Sequence, residues 1–449
     1  MVVKGTWALV PKGELNWRAL TSKCSYAYAD GREVQEVYDV GKYWMCPREV
    51  FSDSQLNLLQ VPVLRIEPAF RKAFGSAANV VSADNAPNER ARRAQIQAVD
   101  VLLEENGVIQ LPPGTGKTAI GLQLAQTLAV PTLIVVHTKD LQQQWVDRAQ
   151  TVLGLPKDRI GLIGGKAKKW KYEEKDLVVS LIQSLSRTPD KCVPLFSEFG
   201  LVIYDEVHHM QGFQFRNGLA ICRGRRVGLS ATPDCAGLES VFLNHIGPVV
   251  YRNDETDLEP EVFFVKTKAR LTQQQIARIK VGASLDDDGA ERAWTLNEVG
   301  TSKINDSILA QVQQCAGQGR KQLLLSDRKE QLRFLHSNLK GSSLLVGDTD
   351  ADDRAGALHD SDIVCATTQL ATEGLDRPEL DTLHICLPWA GKRRFVQGVG
   401  RILRNHPTKQ PPHVYAYDPV DVPMLHRTFG KFRGNVYRYG YRRKSIDGT

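Results

Sequence analysis

An apolar run, Val108-Ile-Gln-Leu111, breaks at Pro112-Pro-Gly-Thr-Gly116 and passes into Lys117-Thr118 and a repeat of Ile120, Leu124 and Leu128. Few folds accommodate that order. A buried strand must end in a tight glycine turn, and a helix must start at once and pack back on the sheet through its i, i+4, i+8 face. Gly114 and Gly116 let the backbone point its N–H groups inward, with Thr115 between them. The opening helix adds its positive end to the same anion. The pattern matches G-x-x-x-x-G-K-[ST] except at its first position, where Leu111 stands. In such a loop Lys117 reaches the β and γ phosphates of a nucleotide and the Thr118 hydroxyl ligates Mg²⁺, so a nucleotide with Mg²⁺ is the expected ligand.

The chain has 449 residues, which predicts two or three domains. Its 42% hydrophobic and 24% charged residues are those of a globular protein. No apolar run approaches the ~18 residues that a membrane span needs, and the N-terminus lacks a signal-peptide core. A cytoplasmic location follows as the expectation (host cytoplasm if the source is viral), with no membrane partner. The net charge of +7 is compatible with a polyanionic partner. Eight scattered cysteines form no C-x-x-C pair, so neither a disulfide framework nor a structural zinc site is expected.

Residues 1–80 carry short aromatic stretches between turn signals and read as a small β-containing accessory domain, a candidate DNA-binding module. Residues 81–250 alternate strands with helical stretches: Val108–Leu111, Thr132–Val136, Leu177–Leu181, Leu201–Tyr204 and Arg226–Leu229 are the strand candidates. Such alternation predicts α/β lobes built on parallel sheets covered on both faces. Residues 251–300 are charged and weakly patterned and read as a connector or insert. The alternation resumes over 301–423, with strands at Gln322–Leu325, Ser343–Val346, Ile363–Ala366, Thr382–Leu387 and His413–Tyr417. Residues 424–449 form a basic, aromatic tail. Its charges and rings suit phosphates and bases; equally, they suit a helix and strand docked on the second lobe with solvated charges.

Three further motifs join the phosphate loop. Leu201-Val-Ile-Tyr-Asp-Glu-Val-His-His209 ends an apolar strand in adjacent acids. There Asp205 would hold Mg²⁺ and Glu206 would orient and deprotonate a water. Gly228-Leu-Ser-Ala-Thr-Pro233 ends the next strand in hydroxyl residues, so that Ser230 and Thr232 could sense the acidic loop; helix capping is the plainer role. Gln397-Gly-Val-Gly-Arg401-Ile-Leu-Arg404 places two arginines three apart, on one face if the segment is helical, where they suit a transferring phosphoryl group.

Taken together, DEVH at 205–208, Ser-Ala-Thr at 230–232 and Q-x-x-G-R-x-x-R at 397–404 resemble motifs II, III and VI of superfamily 2 helicases, in that family's order. The resemblance implies two RecA-like lobes with ATP in their cleft and a nucleic-acid strand crossing both. It assigns catalysis to Lys117, Glu206, Gln397, Arg401 and Arg404, and coupling to Ser230, Thr232 and His208. Arg92-Arg-Ala-Gln95 resembles the adenine-contacting R-x-x-Q element, with Arg92 and Gln95 as its contacts, and Asp376 falls near the ribose. Strand contacts are implied at Thr138 (motif Ia), Ser180 and Ser184 (Ib), Arg328 (IV) and Thr372 (V). The Leu-Pro-Pro loop, the DEVH box and Ile246-Gly-Pro248 look most like XPB-type DNA helicases and phage branch-migration helicases of the UvsW type. The expected activity is that of a DNA-dependent ATPase, a monomeric motor that unwinds or branch-migrates single-stranded, forked or four-way-junction DNA. A duplex translocase without strand separation and the motor subunit of a restriction system are the competing readings.

Overall fold

The computed structural model describes residues 2–4, 7–12, 20, 22–27, 33–40, 43–47, 50, 64–65, 70–75, 81, 86, 88–165, 170–192, 195–212, 214–219, 224–234, 237–255, 258–283, 288–349, 361–375 and 377–448. They fall into two units, Met1–Asp254 and Glu255–Thr449.

The first unit begins with short strands. β1 (Val2–Lys4), β2 (Trp7–Pro11), β5 (Tyr38–Val40), β6 (Tyr43–Pro47) and β7 (Leu64–Arg65) make one sheet in the order β5-β6-β2-β1-β7, while β3 (Ser25–Ala27) pairs with β4 (Glu33–Gln35). A buried pair, His245 Nε2 to Glu36 Oε2 at 3.0 Å, ties this layer to the helix Ser240–Ile246. Most of the expected linker at 75–88 lies outside the described residues.

The nucleotide motifs stand on a seven-stranded parallel sheet. Its strands are β8 (Gly107–Gln110), β9 (Thr132–Val136), β10 (Ile160–Ile163), β11 (Leu177–Leu181), β12 (Leu201–Asp205), β13 (Arg225–Ser230) and β14 (Val249–Arg252), in the order β10-β11-β9-β12-β13-β8-β14. Successive side chains leave a strand on opposite faces, so each strand feeds two cores. Ile134, Val136, Leu201 and Ile203 pack with Leu102, Leu124 and Trp145 under the helices Glu89–Glu104, Lys117–Leu128 and Lys139–Leu153. Leu133, Val135, Val202 and Tyr204 pack on the other face with Ile182, Leu185 and Phe242. Burial on both faces is what the unbroken apolar runs required.

The second unit repeats the plan. β15 (Glu261–Thr267), β16 (Gln322–Ser326), β17 (Ser342–Leu345), β18 (Ile363–Thr367), β19 (Thr382–Ile385), β20 (His413–Pro419) and β21 (Arg443–Asp447) lie parallel in the order β17-β18-β16-β19-β20-β15-β21. One expectation changes here, and of the two readings of the tail the docked helix and strand is the one present. Residues 251–300 are not only a connector, because β15 sits between β20 and β21, burying Val262 and Phe264 on one face and Val265 on the other. The basic tail is a helix, Pro423–Arg438, followed by the edge strand β21; Leu425, Phe429, Phe432 and Val436 face the core. Among the described residues no helix is long and apolar enough to cross a membrane.

Candidate functional site

The phosphate loop is held from three sides. Leu111 N–H donates to Ser230 O at 3.0 Å, fixing the end of β8 to the end of β13. Gln95, buried in the helix Glu89–Glu104, donates from Nε2 to Thr115 O at 2.9 Å, and Thr115 Oγ1 donates to Pro112 O at 2.8 Å. Gly114 and Gly116 both take φ +87°, a region costly for other residues. A Cβ on Gly116 would also fall 2.4 Å from Gln95 Nε2, so glycine is required there twice over. Lys117 opens the helix and folds back across the loop, its Nζ donating to Leu111 O at 3.2 Å. Thr118 follows, half-buried, in the first turn, where helical N–H groups have no intrahelical acceptor. Arg92, one turn before Gln95, lies nearer solvent with Glu89 Oε1 3.7 Å away.

The acid pair stands at the end of β12. Asp205 is buried; Trp145 Nε1–H donates to its Oδ2 at 2.7 Å and the Glu206 N–H to its Oδ1 at 2.9 Å. Burial pushes the Asp205 carboxyl up to about 6; the Glu206 charge adds to the shift, and the Trp145 bond and Lys117 charge oppose it. Glu206 holds φ 47° and ψ 52°, a left-handed backbone that side chains rarely adopt and that functional sites often retain. Its Oε2 makes no hydrogen bond and lies 3.4 Å from His208 Nδ1.

His208 joins this loop to the next motif. Its Nδ1 shares a hydrogen bond with Ser230 Oγ at 2.8 Å, and Ser230 Oγ accepts the Thr232 N–H at 3.0 Å. The Thr232 hydroxyl is buried without a hydrogen bond. An adjacent carboxylate pair (Asp205 buried, Glu206 half-buried), two unsatisfied oxygens and a threonine hydroxyl at a helix N-terminus are hard oxygen donors beside an anion cradle. That set fits a magnesium nucleotide.

The expected strand contacts divide. Thr138 caps the helix Lys139–Leu153, its Oγ1 accepting from Leu141 N at 3.3 Å. Ser180 requires correction: it is fully buried within β11, its hydroxyl on Leu181 O at 3.3 Å, because every side chain of this central strand points into a core. Ser184 is half-buried beside Gly164 in the following helix. The side chain of Thr372 and the whole of Asp376 lie outside the described residues.

In the second unit Ser326 Oγ donates to Gln331 Oε1 at 2.7 Å and accepts the Arg328 N–H at 3.1 Å. Arg328, Arg292, Arg394, Thr368 and Trp389 line a cavity of about 200 Å³. Burial lowers the Arg328 pKa, which the neighbouring Arg292 lowers further while Asp327 opposes. The arginine motif needs a second correction. Gln397 lies in the helix Lys392–Gly400, but that helix stops at Gly400, and Arg401, Ile402 and Leu403 continue in i to i−3 turns. Arg401 therefore stands in the turn that follows the helix and Arg404 just past it, rather than both on one helix face. Arg401 Nη1 donates to Leu375 O at 2.7 Å, and Arg404 O accepts from Lys409 Nζ at 2.8 Å.

Sequence reasoning missed Trp145 as the partner of Asp205, since nothing in the spacing joins residues so far apart. It also missed the His137 and His209 rings, stacked 3.8 Å apart between the end of β9 and the acidic turn.

Comparison with known proteins agrees with this geometry. Residues 88–235 match the family model described as type III restriction enzyme, res subunit. The chain is 26% identical over 342 residues to L396, a candidate ATP-dependent RNA helicase of Acanthamoeba polyphaga mimivirus, covering 74% of this chain and 63% of that one. It is 27% identical over 360 residues to the DNA 3'-5' translocase XPB2 of Sulfurisphaera tokodaii, covering 70% of this chain and 78% of that one. In fold it resembles S. cerevisiae Dbp5 bound to RNA and ADP BeF3, with a TM-score of 0.56 at 14% identity over 82% of this chain and 96% of that one. The domain match over residues 88–235, these relatives and the two parallel-sheet lobes agree in their likeness to ATP-dependent helicases and translocases.

Proposed function

We propose that the chain is an ATP-driven DNA motor that moves along, and separates or branch-migrates, DNA strands. One observation carries the proposal: hydrogen bonds join the loop bearing Lys117 to Ser230 and Ser230 to His208, and His208 Nδ1 lies 3.4 Å from Glu206 Oε2 beside Asp205, which sets loop and acids in one assembly. In it Lys117 and the loop amides bind the phosphates, and Gln95 with Arg92 sets the loop and the base. Thr118 and Asp205 would hold Mg²⁺, which would supply neutralisation of the phosphate charge. Glu206 orients the attacking water, and Arg401 and Arg404, supported by Gln397, stabilise charge on the transferring phosphoryl group. Asp376 serves the ribose. Ser230, Thr232 and His208 transmit the state of the acid loop to the sheet. Thr138, Ser184, Arg328 and Thr372 hold strand phosphates, which carry no sequence code and so suit a motor.

DNA is favoured because one relative bears the name DNA translocase and the motif set resembles the XPB and UvsW types; 3'-5' movement is part of the proposal. The second reading, duplex translocation without strand separation, rests on the same name. The test is ATP hydrolysis at one fixed salt concentration with no nucleic acid, single-stranded DNA, blunt duplex, a fork, a four-way junction and RNA. Stimulation led by fork and junction supports branch migration. Equal stimulation by blunt duplex supports the translocase, and stimulation by RNA alone overturns the DNA assignment.

A further inference from the structure

The last 26 residues, 424–449, hold seven Lys and Arg against one Asp, a net +6 of the chain's +7. Docking of this segment does not consume that charge. On the helix Pro423–Arg438 the buried residues Leu425, Phe429, Phe432 and Val436 define one side. Arg427, Gly430, Lys431, Gly434, Tyr437 and Arg438 recur at i, i+3, i+4, i+7, i+10 and i+11, the opposite side. Over its eleven-residue span this stripe runs about 16 Å along the axis.

Three features of the stripe point the same way. Arg427, Lys431 and Arg438 are exposed and have no ion pair within 4 Å among the described residues, whereas Lys444 is engaged by Glu261 at 2.8 Å and Asp418 by His426 at 2.8 Å. Gly430 and Gly434 are one turn apart with nothing within 4 Å of where a Cβ would stand. Packing does not require glycine at either site, and two interior glycines weaken a helix. They leave a bare backbone floor between the basic side chains. Tyr437 is 53% exposed at the end of the stripe, with the Arg443 guanidinium 4.1 Å above its ring centroid on the adjoining edge strand.

We infer that this helix face is a second nucleic-acid contact, distinct from the motif loops. It takes a phosphodiester backbone along the glycine floor between Arg427, Lys431 and Arg438, with a base stacked at Tyr437. The exposed ring favours a single strand, whose bases are open to stacking, over a duplex. The face has no exposed aliphatic residue to insert into a lipid layer. The inference does not depend on ATP hydrolysis.

The test is fluorescence anisotropy of the full chain with a labelled 20-nucleotide oligo-dT, a 20-bp duplex and oligo-glutamate, from 50 to 200 mM salt. In the triple variant Arg427→Gln, Lys431→Gln, Arg438→Gln, oligo-dT affinity is expected to fall at least tenfold at 50 mM. The slope of log affinity against log salt becomes shallower by about two. Basal ATP hydrolysis without nucleic acid is expected to stay unchanged. In Gly430→Ala, Gly434→Ala the melting temperature rises while oligo-dT affinity falls several-fold, a pairing that a merely solvated face does not produce. Unchanged affinity and slope in the triple variant overturn the inference, as does a loss confined to oligo-glutamate. A larger loss on duplex than on oligo-dT overturns the stacking role of Tyr437.

Discussion

The Trp145 indole N–H donates to Asp205 Oδ2 at 2.7 Å, with both side chains buried. The bond fixes one oxygen of a carboxylate that burial would otherwise leave poorly stabilised. Because the Glu206 N–H takes the other oxygen, the orientation of the whole group is set before any ligand arrives. Trp145→Phe keeps the ring and removes the donor. Hydrogen bonds to charged groups are worth about 1.5–3 kcal/mol, so the magnesium concentration for half-maximal ATP hydrolysis is expected to rise about tenfold or more. An unchanged magnesium titration would show that the bond only packs the core.

Lys117→Ala removes the one side-chain cation of the loop and is expected to abolish ATP hydrolysis. Arg404→Ala should instead spare nucleotide binding and slow turnover, on the order of 10³-fold if it acts as arginine fingers do elsewhere. A fluorescent nucleotide titration beside steady-state hydrolysis separates the two. Full activity in Arg404→Ala would remove it from the mechanism.

Gly116→Ala meets two obstacles, its φ of +87° and Gln95 Nε2 at 2.4 Å from the new Cβ. The backbone cost alone is about 1–2 kcal/mol. Nucleotide affinity is expected to collapse, and Gln95→Ala in the same chain should recover only the steric share. A double-mutant cycle on nucleotide binding measures that share; complete recovery would mean that the left-handed backbone costs nothing here.

His384 supplies a pH dependence. Its Nε2–H donates to Gln322 Oε1 at 2.8 Å, and its Nδ1 accepts from Tyr417 OH at 3.0 Å, which is the neutral tautomer. Burial lowers its pKa to about 3 from 6.5. The unfolded chain therefore takes up the proton first. The stabilising contribution is whole above pH 6.5 and is lost as pH falls toward 3, by about 1.4 kcal/mol per pH unit. Between pH 7.5 and pH 5 the second unit should lose about 2 kcal/mol, a loss that His384→Phe removes. Denaturant unfolding at both pH values, read on both proteins, checks the slope.

Much of this was legible because buried parallel strands are written as unbroken apolar runs. Thr132–Val136 and Leu177–Leu181 stand where the pattern predicts them, and the loops after β8, β12 and β13 carry the motifs at strand ends. Three of the four edge strands of the two seven-stranded sheets were not placed, for the opposite reason: β10 and β14 are only part-buried, and β21 reads Arg-Lys-Ser-Ile-Asp. Within the candidate site, local geometry was readable and distant pairing was not. Gly116 announces its turn, but the approach of Gln95 to it depends on how two helices lie on one sheet. Ser180 misled because its role came from the resemblance to motif Ib, although the strand expected over Leu177–Leu181 already contained it and β11 buries it.

The place of β15 sets a schedule for synthesis. It is an apolar strand whose neighbours, β20 and β21, follow roughly 150 or more residues later in the chain. At the ~5–20 residues per second of translation, Val262-Phe-Phe-Val265 waits on the order of ten to thirty seconds for its first partner. During that interval it presents both edges to anything nearby. A ribosome paused between β15 and β20 would therefore hold a chain whose second sheet cannot close, and cells making this protein would be expected to depend on a chaperone at that stage more than at any other.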